Sequence, residues 1–518
     1  MAFSSRTTKI TGEHIHLSAL FLFAFIVLMV FRIKTPDDGD TYAYANSIST
    51  FAGPVIHFGY FVVGFLLHSF LQKIGVNALQ TLGYMSVLFG SLSVACIYLF
   101  TLELTGDRIQ GLLAGLVLLF SGTFWLFAEH GEVYVPQLAI ILLATIAMLK
   151  RRPFMASIFF LIAMSITPTS CLVFPPLLYI AHYRGLTKKD VAWFAIPAFC
   201  SLFLVFLLAF HQVVAIMKWA TYSPRVFFSN LTVREGVITL IYQLLVVYLK
   251  PFNVCIAFAA VGAFYLYRHD KKIFFLMVWF MLPFIAYIFN LGLISGDHLI
   301  ITFIVVSFLV SYLLSRLLQA KDGNIAVKWG LVLALFSVHI FSSYSLILGP
   351  ESRNGRELYR VAMMLADQYE PRAVTYSQYN LGMALWYLTQ SEQNFLLFTG
   401  RPDEFLTYNC PRLAPCINRL NERFWINLPH IPGFMAQQID HKRLMSGRTI
   451  YVIDRSDWPT SIIRLLLPKR ELEKKKQIKP RIERAVAYIE KYTGLNAEAR
   501  KIIDSPLYPV YAVALYDR

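Results

Sequence analysis

Runs of about 20 mostly apolar residues, the length needed to cross the hydrocarbon core of a bilayer, recur through the first two-thirds of this chain. They constrain its fold more than any other feature. Such runs fall near 16–34, 80–100, 111–127, 134–149, 154–167, 170–182, 191–209, 252–267, 273–290, 299–317 and 327–348, about eleven candidate spans. The first follows a basic start (Arg6, Lys9) and has no small-residue cleavage site, so it reads as an anchor rather than a removed signal.

The 518 residues are 57% hydrophobic and 15% charged, with mean hydropathy +0.55 and a net charge of +16. Soluble domains carry about 25% charged residues, which excludes a soluble enzyme, a disordered chain and a disulfide scaffold. The charge is unevenly spread. Residues 1–350 hold 22 basic and 13 acidic side chains, and residues 351–518 hold 25 and 18. The expected fold is a polytopic α-helical membrane domain over 1–350, followed by a soluble α/β domain over 351–518.

Positive charge in short loops sets orientation. With the N-terminus inside, Arg108, Lys150-Arg151-Arg152, Arg184/Lys188/Lys189, Arg268/Lys271/Lys272 and Arg316/Lys321/Lys328 all fall on the cytoplasmic side, and an odd span count puts the tail outside. The stretch 58–70 is too short to cross and reads as a helix along the surface; 237–250 reads as a further interfacial stretch. Compact loops favour a bacterial inner membrane. No Gly-rich phosphate loop, zinc-type spacing or basic/aromatic nucleic-acid pattern stands out, so no nucleic-acid partner is expected.

In the tail, RAVTY (372–376), NFLLFT (394–399), RTIYVID (448–454) and YPVYAVAL (508–515) read as buried strands between helical segments at 355–370, 379–389 and 481–492. Cys410 and Cys416 stand six positions apart on the external side, where a disulfide is expected to persist. Cys96, Cys171, Cys200 and Cys255 lie in apolar runs and read as packing residues. No internal repeat is found, which argues against an inverted-repeat transporter.

The polar and ionisable groups gather on the external side: the loop 35–78, AEHGEVY (128–134), ITPTS (166–170), the loop 210–236, and SGDH (295–298). Ionisable groups collected at one membrane face point to a site; read without function, they cap helices and wet loops. The first loop opens T-P-D-D-G-D-T-Y-A-Y, with Asp37, Asp38 and Asp40 just past the first span. If 40–51 is helical, Asp40 and Tyr44 share a face, and the plain structural role for Asp40 is a helix N-cap.

An acid after the first span, His57-Phe58-Gly59-Tyr60 opening a juxtamembrane helix, and F-W…A…Glu132-Val133-Tyr134 before the fourth span together resemble the GT-C membrane glycosyltransferases, most of all the branch related to the protein O-mannosyltransferases. That family often shows H-P-P-G-Y, and the prolines are missing here. Leu385-Trp386-Tyr387 and Arg401-Pro402-Asp403 extend the resemblance more weakly into the tail. The resemblance implies a polyprenyl-phosphate-linked sugar donor, a protein, lipid or glycan acceptor, and a first-loop acid as catalytic base. That role is carried to Asp40, with Asp38 as the alternative. A hydroxyl is a poor nucleophile, so a carboxylate must take its proton as the new bond forms; direct attack on C1 then inverts the anomeric centre.

A phosphate leaving group needs cations or a metal. Lys218, Arg225, Arg234 and His298 are the candidates, with Arg225 first because a guanidinium can hold two phosphate oxygens. His298 beside Asp297 reads as a metal ligand, a phosphate donor or an interfacial histidine. Glu132 and Glu129 are candidates to orient Asp40, bind an acceptor sugar or help hold a divalent cation such as Mg or Mn. His57, Tyr60, Tyr44, His130 and Tyr134 are further candidates for substrate contact. The rival functions are a transporter or flippase of polyprenyl-linked sugars, which needs ionisable groups deep in the spans, and a non-catalytic membrane scaffold.

Overall fold

The structure is a computed structural model. It describes residues 2–51, 57–208, 247–291, 299–367, 374–377, 379–389, 394–397, 450–453, 486, 490, 495–505 and 509–516. The chain divides into two compact units, Met1–Lys34 with Tyr44–Pro350, and Thr35–Ala43 with Glu351–Arg518. The segment that carries Asp37, Asp38 and Asp40 therefore belongs to the same unit as the tail.

The first unit is helical throughout the described residues: α1 Ala2–Val30, α2 Gly39–Thr50 (whose first turn lies in the other unit), α3 Phe58–Leu71, α4 Ala78–Thr105, α5 Arg108–Leu119, α6 Gly122–Phe127, α7 Tyr134–Leu149, α8 Pro153–Ile166, α9 Phe174–Tyr183, α10 Lys188–Leu208, α11 Cys255–His269, α12 Lys271–Leu291, α13 Phe303–Gln319 and α14 Ile325–Ser343. Ala78–Thr105, Ile300–Gln319 and Ile325–Ala366 are long and apolar enough to cross a membrane; Ile15–Val30, Phe58–Ile74, Arg108–Leu119, Tyr134–Leu149 and Pro153–Ile166 are shorter apolar helices. Large apolar side chains such as Leu22, Ile26, Phe203, Phe264, Leu333 and Phe341 are exposed on this unit, the surface of a chain whose solvent is lipid. This is a polytopic, integral membrane protein.

Helix ends follow the local sequence. Asn77 and Gln80 form a capping box at the start of α4, and Gly106 ends that helix at φ +71°, a conformation that only glycine adopts at little cost. Asp107 caps α5 through the N–H groups of Ile109 and Gln110. Helix α4 packs against α1, α5 and α7. Its Ser91 and Ser93 hydroxyls donate to the carbonyls one turn back, which satisfies them in an apolar interior. Phe100 meets Phe280 and Phe308 edge-on at 6.1 and 6.2 Å.

Some expected spans differ in detail. The run 111–127 is not one helix: α5 stops at Leu119 and α6 restarts at Gly122. Donors from α14 take the carbonyls at this break, with His339 Nε2 reaching Val117 O at 3.2 Å and the Ser343 hydroxyl reaching Phe120 O at 2.7 Å. The run 170–182 begins as a 3₁₀ segment, Pro168–Val173, before α9. The surface stretch 58–70 is helical, as α3; 237–250 lies mostly outside the described residues.

In the second unit, α15 Gly349–Ala366, which begins just before the unit boundary, and α16 Tyr379–Thr389 accompany a mixed five-stranded sheet of order β2-β1-β3-β5-β4. The strands are β1 Val374–Ser377, β2 Asn394–Leu397, β3 Ile450–Ile453, β4 Asn496–Ile503 and β5 Val510–Tyr516. β1 pairs in parallel with β2 and β3, while β5 pairs antiparallel with β3 and β4. The four strands expected from sequence are present. β4 is the one not expected: Asn-Ala-Glu-Ala-Arg-Lys-Ile-Ile is rich in helix formers, and its pairing with β5 overrides that preference. Cys410, Cys416, Arg401-Pro402-Asp403 and most of the segment 481–492 lie outside the described residues. Cys96, Cys171, Cys200 and Cys255 are free thiols.

Candidate active site

In the second unit, Asp38 stands immediately before α2. Its Oδ1 accepts from Asp40 N at 3.2 Å, and its Oδ2 accepts from Thr41 N at 3.1 Å and the Thr41 hydroxyl at 2.6 Å. These are the N–H groups that a helix start leaves without partners. Asp38 therefore fills the capping role that the sequence suggested for Asp40, which stands inside the first turn. That turn is where the partial positive charge of the helix favours a carboxylate. Asp37 is buried. Tyr42 is fully buried, 6.5 Å from the Tyr359 ring and 6.1 Å from the Tyr387 ring. Burial, then Tyr359, Asp37 and Asp38, push its phenol well above the ordinary value, so it stays neutral.

In the first unit, Tyr44, His57 and Tyr60 come together. The Tyr44 ring lies 6.0 Å from His57, 5.5 Å from Tyr60 and 5.6 Å from Phe61. His57 Nδ1 donates to Ile166 O at 2.8 Å, because a carbonyl can only accept. At Gly59 a Cβ would overlap the Ser165 hydroxyl. The H-x-G-Y segment thus locks the start of α3 onto the end of α8: the histidine supplies the bond, the glycine the close approach and the tyrosine the buried ring. The ITPTS turn that follows α8 is held from α7, where Gln137 Nε2 donates to Thr169 Oγ1 and Ser170 Oγ, both at 3.0 Å.

Glu129, His130 and Glu132 in the AEHGEVY turn are all buried, and Tyr134 opens α7. Glu129 Oε1 accepts from Trp125 Nε1 at 2.7 Å and Oε2 from Ile33 N at 3.1 Å. Burial pushes its carboxyl well above the usual range, against those two bonds and the Arg32 charge. The His130 ring lies edge-on to Phe127 at 6.2 Å. Arg32 stacks over Tyr84 at 4.2 Å, and its Nη1 is buried without a partner among the described residues. Arg32 and Gln137 were missed in the sequence because each sits in a run read as a membrane span; a polar residue inside such a run was the available signal. Lys218, Arg225, Arg234, Asp297 and His298 lie outside the described residues.

No sequence family matches the chain, and no curated protein does. Solved structures share its fold. ArnT from Cupriavidus metallidurans bound to undecaprenyl phosphate superposes with TM-score 0.54 at 12% identity, over 97% of this chain and 98% of that one. The Archaeoglobus fulgidus oligosaccharyltransferase AglB, in complex with an inhibitory peptide and a dolichol-phosphate, superposes with TM-score 0.53 at 13% identity, over 96% of this chain and 88% of that one. A structure of an Archaeoglobus fulgidus oligosaccharyltransferase in complex with Zn and sulfate gives TM-score 0.51 at 12% identity, over 84% of this chain and 68% of that one. The chain has the GT-C fold. Within this fold, the sequence features that resembled the family sit at helix starts and inter-helix turns, with Asp38 and Asp40 in one unit and His57, Tyr60 and the AEHGEVY turn in the other.

Proposed function

We propose that this protein is a membrane glycosyltransferase that moves a sugar from a polyprenyl-phosphate donor to an acceptor hydroxyl at the extracytoplasmic face of a bacterial inner membrane. The observation that carries the reading is the GT-C fold over nearly the whole chain, combined with an acid in the first turn of α2. Asp40 acts as general base: it takes the acceptor's proton as the acceptor oxygen bonds to C1 and the bond from C1 to the phosphate oxygen breaks. The anomeric centre inverts, and no enzyme nucleophile is needed.

Asp40 is preferred over Asp38 because both Asp38 oxygens already serve the helix cap. Arg225, Lys218, Arg234 and His298 are proposed to hold the leaving phosphate. Arg32, whose Nη1 lacks a partner among the described residues, adds to them. Glu129 ties the exit of the first helix to the AEHGEVY turn. The hard carboxylate oxygens of Asp38 and Asp40 suit a divalent ion such as Mg or Mn, and when bound it would neutralise charge on the phosphate. Asp40 performs the proton transfer with or without it. The acceptor is a protein, lipid or glycan hydroxyl.

The test is to incubate the purified protein and its Asp40→Asn variant with a panel of polyprenyl-phosphate sugars, a mixed acceptor extract being present, and to follow release of free polyprenyl phosphate. Wild type releases it; the variant binds donor but turns over at least about 100-fold more slowly, the scale of a lost general base. Release by both at equal rate moves the base to Asp38 or Glu132. Release by neither, from folded protein, favours a transporter of such lipids.

A further inference from the structure

Thr35–Ala43 lies between two helices of the membrane unit in sequence, yet it clusters with Glu351–Arg518. Two anchors hold it there. At Gly355 on α15, a Cβ would overlap Thr35 O and come within 2.9 Å of Asp37 N and of the Pro36 carbonyl carbon. Backbone lies on backbone at that point, and a side chain at 355 displaces the loop. One turn further along α15, the Tyr359 ring stacks on Tyr42, and Tyr387 of α16 closes on Tyr42 from its own helix. Gly355 and Tyr359 share a face of α15 at i, i+4. Tyr42 is fully buried, and Leu358, Ala362, Ala384 and Leu385 are fully buried too, so the anchor is part of a packed core. Asp37, Asp38 and Asp40 stand between the two anchors.

We propose that Gly355, Tyr359 and Tyr387 are positioning residues: the C-terminal domain carries the acid-bearing start of the first loop and fixes where Asp38 and Asp40 stand. Its catalytic consequence rests on the glycosyltransferase reading above; the geometric claim does not. A tail that only selected acceptors would alter the acceptor KM. A tail that carries the base alters kcat for every acceptor, because a displacement of about 1 Å costs on the order of 100-fold in rate.

The experiment uses the full-length protein and follows both hydrogen exchange of residues 35–43 and the kinetics of donor cleavage. Gly355→Ala is expected to speed exchange in 35–43 while leaving β4 and β5 protected. It is expected to lower kcat by about 10- to 100-fold with donor KM held within about twofold, the signature of lost transition-state interaction. Unchanged loop exchange overturns the proposal, as does retained kcat with a loosened loop. If Gly355→Ala also exposes β4 and β5, Tyr42→Ala against Tyr42→Phe decides. The ring alone makes the described contacts, so only the alanine variant loosens the loop and loses turnover; equal behaviour of the two overturns the proposal. If the loop loosens as expected but wild type cleaves no donor, the positioning stands and the glycosyltransferase reading fails.

Discussion

Asp38 and Asp40 are two residues apart, and their placement separates their work. A carboxylate just before a helix meets the N–H groups that the first turn leaves over, whereas one inside that turn projects from it. Glu129 shows the opposite treatment of an acid, buried with each oxygen committed to one donor. Its carboxyl is held above its ordinary value of 4.5, so the fold prefers its neutral form. The stability it brings is complete below that value and is lost as pH rises through the raised one. Glu129→Gln removes this loss but sets an amide N–H against Ile33 N–H, at a cost of about 1 kcal/mol. Melting of the purified protein between about pH 4 and 8 should show wild type losing ground as pH rises, relative to a variant that starts lower and has a flatter profile. Parallel curves would remove Glu129 as the source. The acids were legible in the sequence because they interrupt an apolar chain. Arg32 was not, because a cation at the end of an apolar run reads as flanking charge until its neighbours are known.

At the scale of elements, the H-x-G-Y segment was legible as a motif and illegible as a joint. Nothing in the sequence names Ser165 and Ile166 as its partners. Gly59→Ala forces a methyl into the Ser165 side chain and the backbone beneath it, a misfit worth about 1–3 kcal/mol. Thermal melting in detergent should fall accordingly; an unchanged midpoint would mean that α3 and α8 shift apart freely. The break between α5 and α6 was equally hidden, since only the three small residues Ser121-Gly122-Thr123 interrupt the apolar run. It is tolerated because His339 and Ser343 arrive from more than 200 positions away and satisfy carbonyls that lipid cannot. β4 fails sequence reasoning for the same class of reason: its partner strand, not its residues, makes it a strand.

For the whole molecule, the basic loops predict which side each helix end faces. A cysteine in place of Lys189, in the first turn of α10, should react with an impermeant maleimide in inverted vesicles and not in right-side-out ones, above the background of the native cysteines. Labelling in the opposite orientation would reverse the proposed topology and with it the extracytoplasmic placement of the acids.

The sequence by itself determined that this is a polytopic membrane protein with an α/β tail, because apolar run length and charge density are properties of composition and need no partner. It also marked the acids of the first loop and of the AEHGEVY turn. Only the tertiary structure decided that Asp38 caps a helix, that the H-x-G-Y segment locks onto α8, and that the acid loop belongs with the C-terminal domain. Each of these depends on a close approach between residues distant in the chain, where a missing Cβ at Gly59 or Gly355 or a lone donor from His339 acquires meaning only from what folds against it.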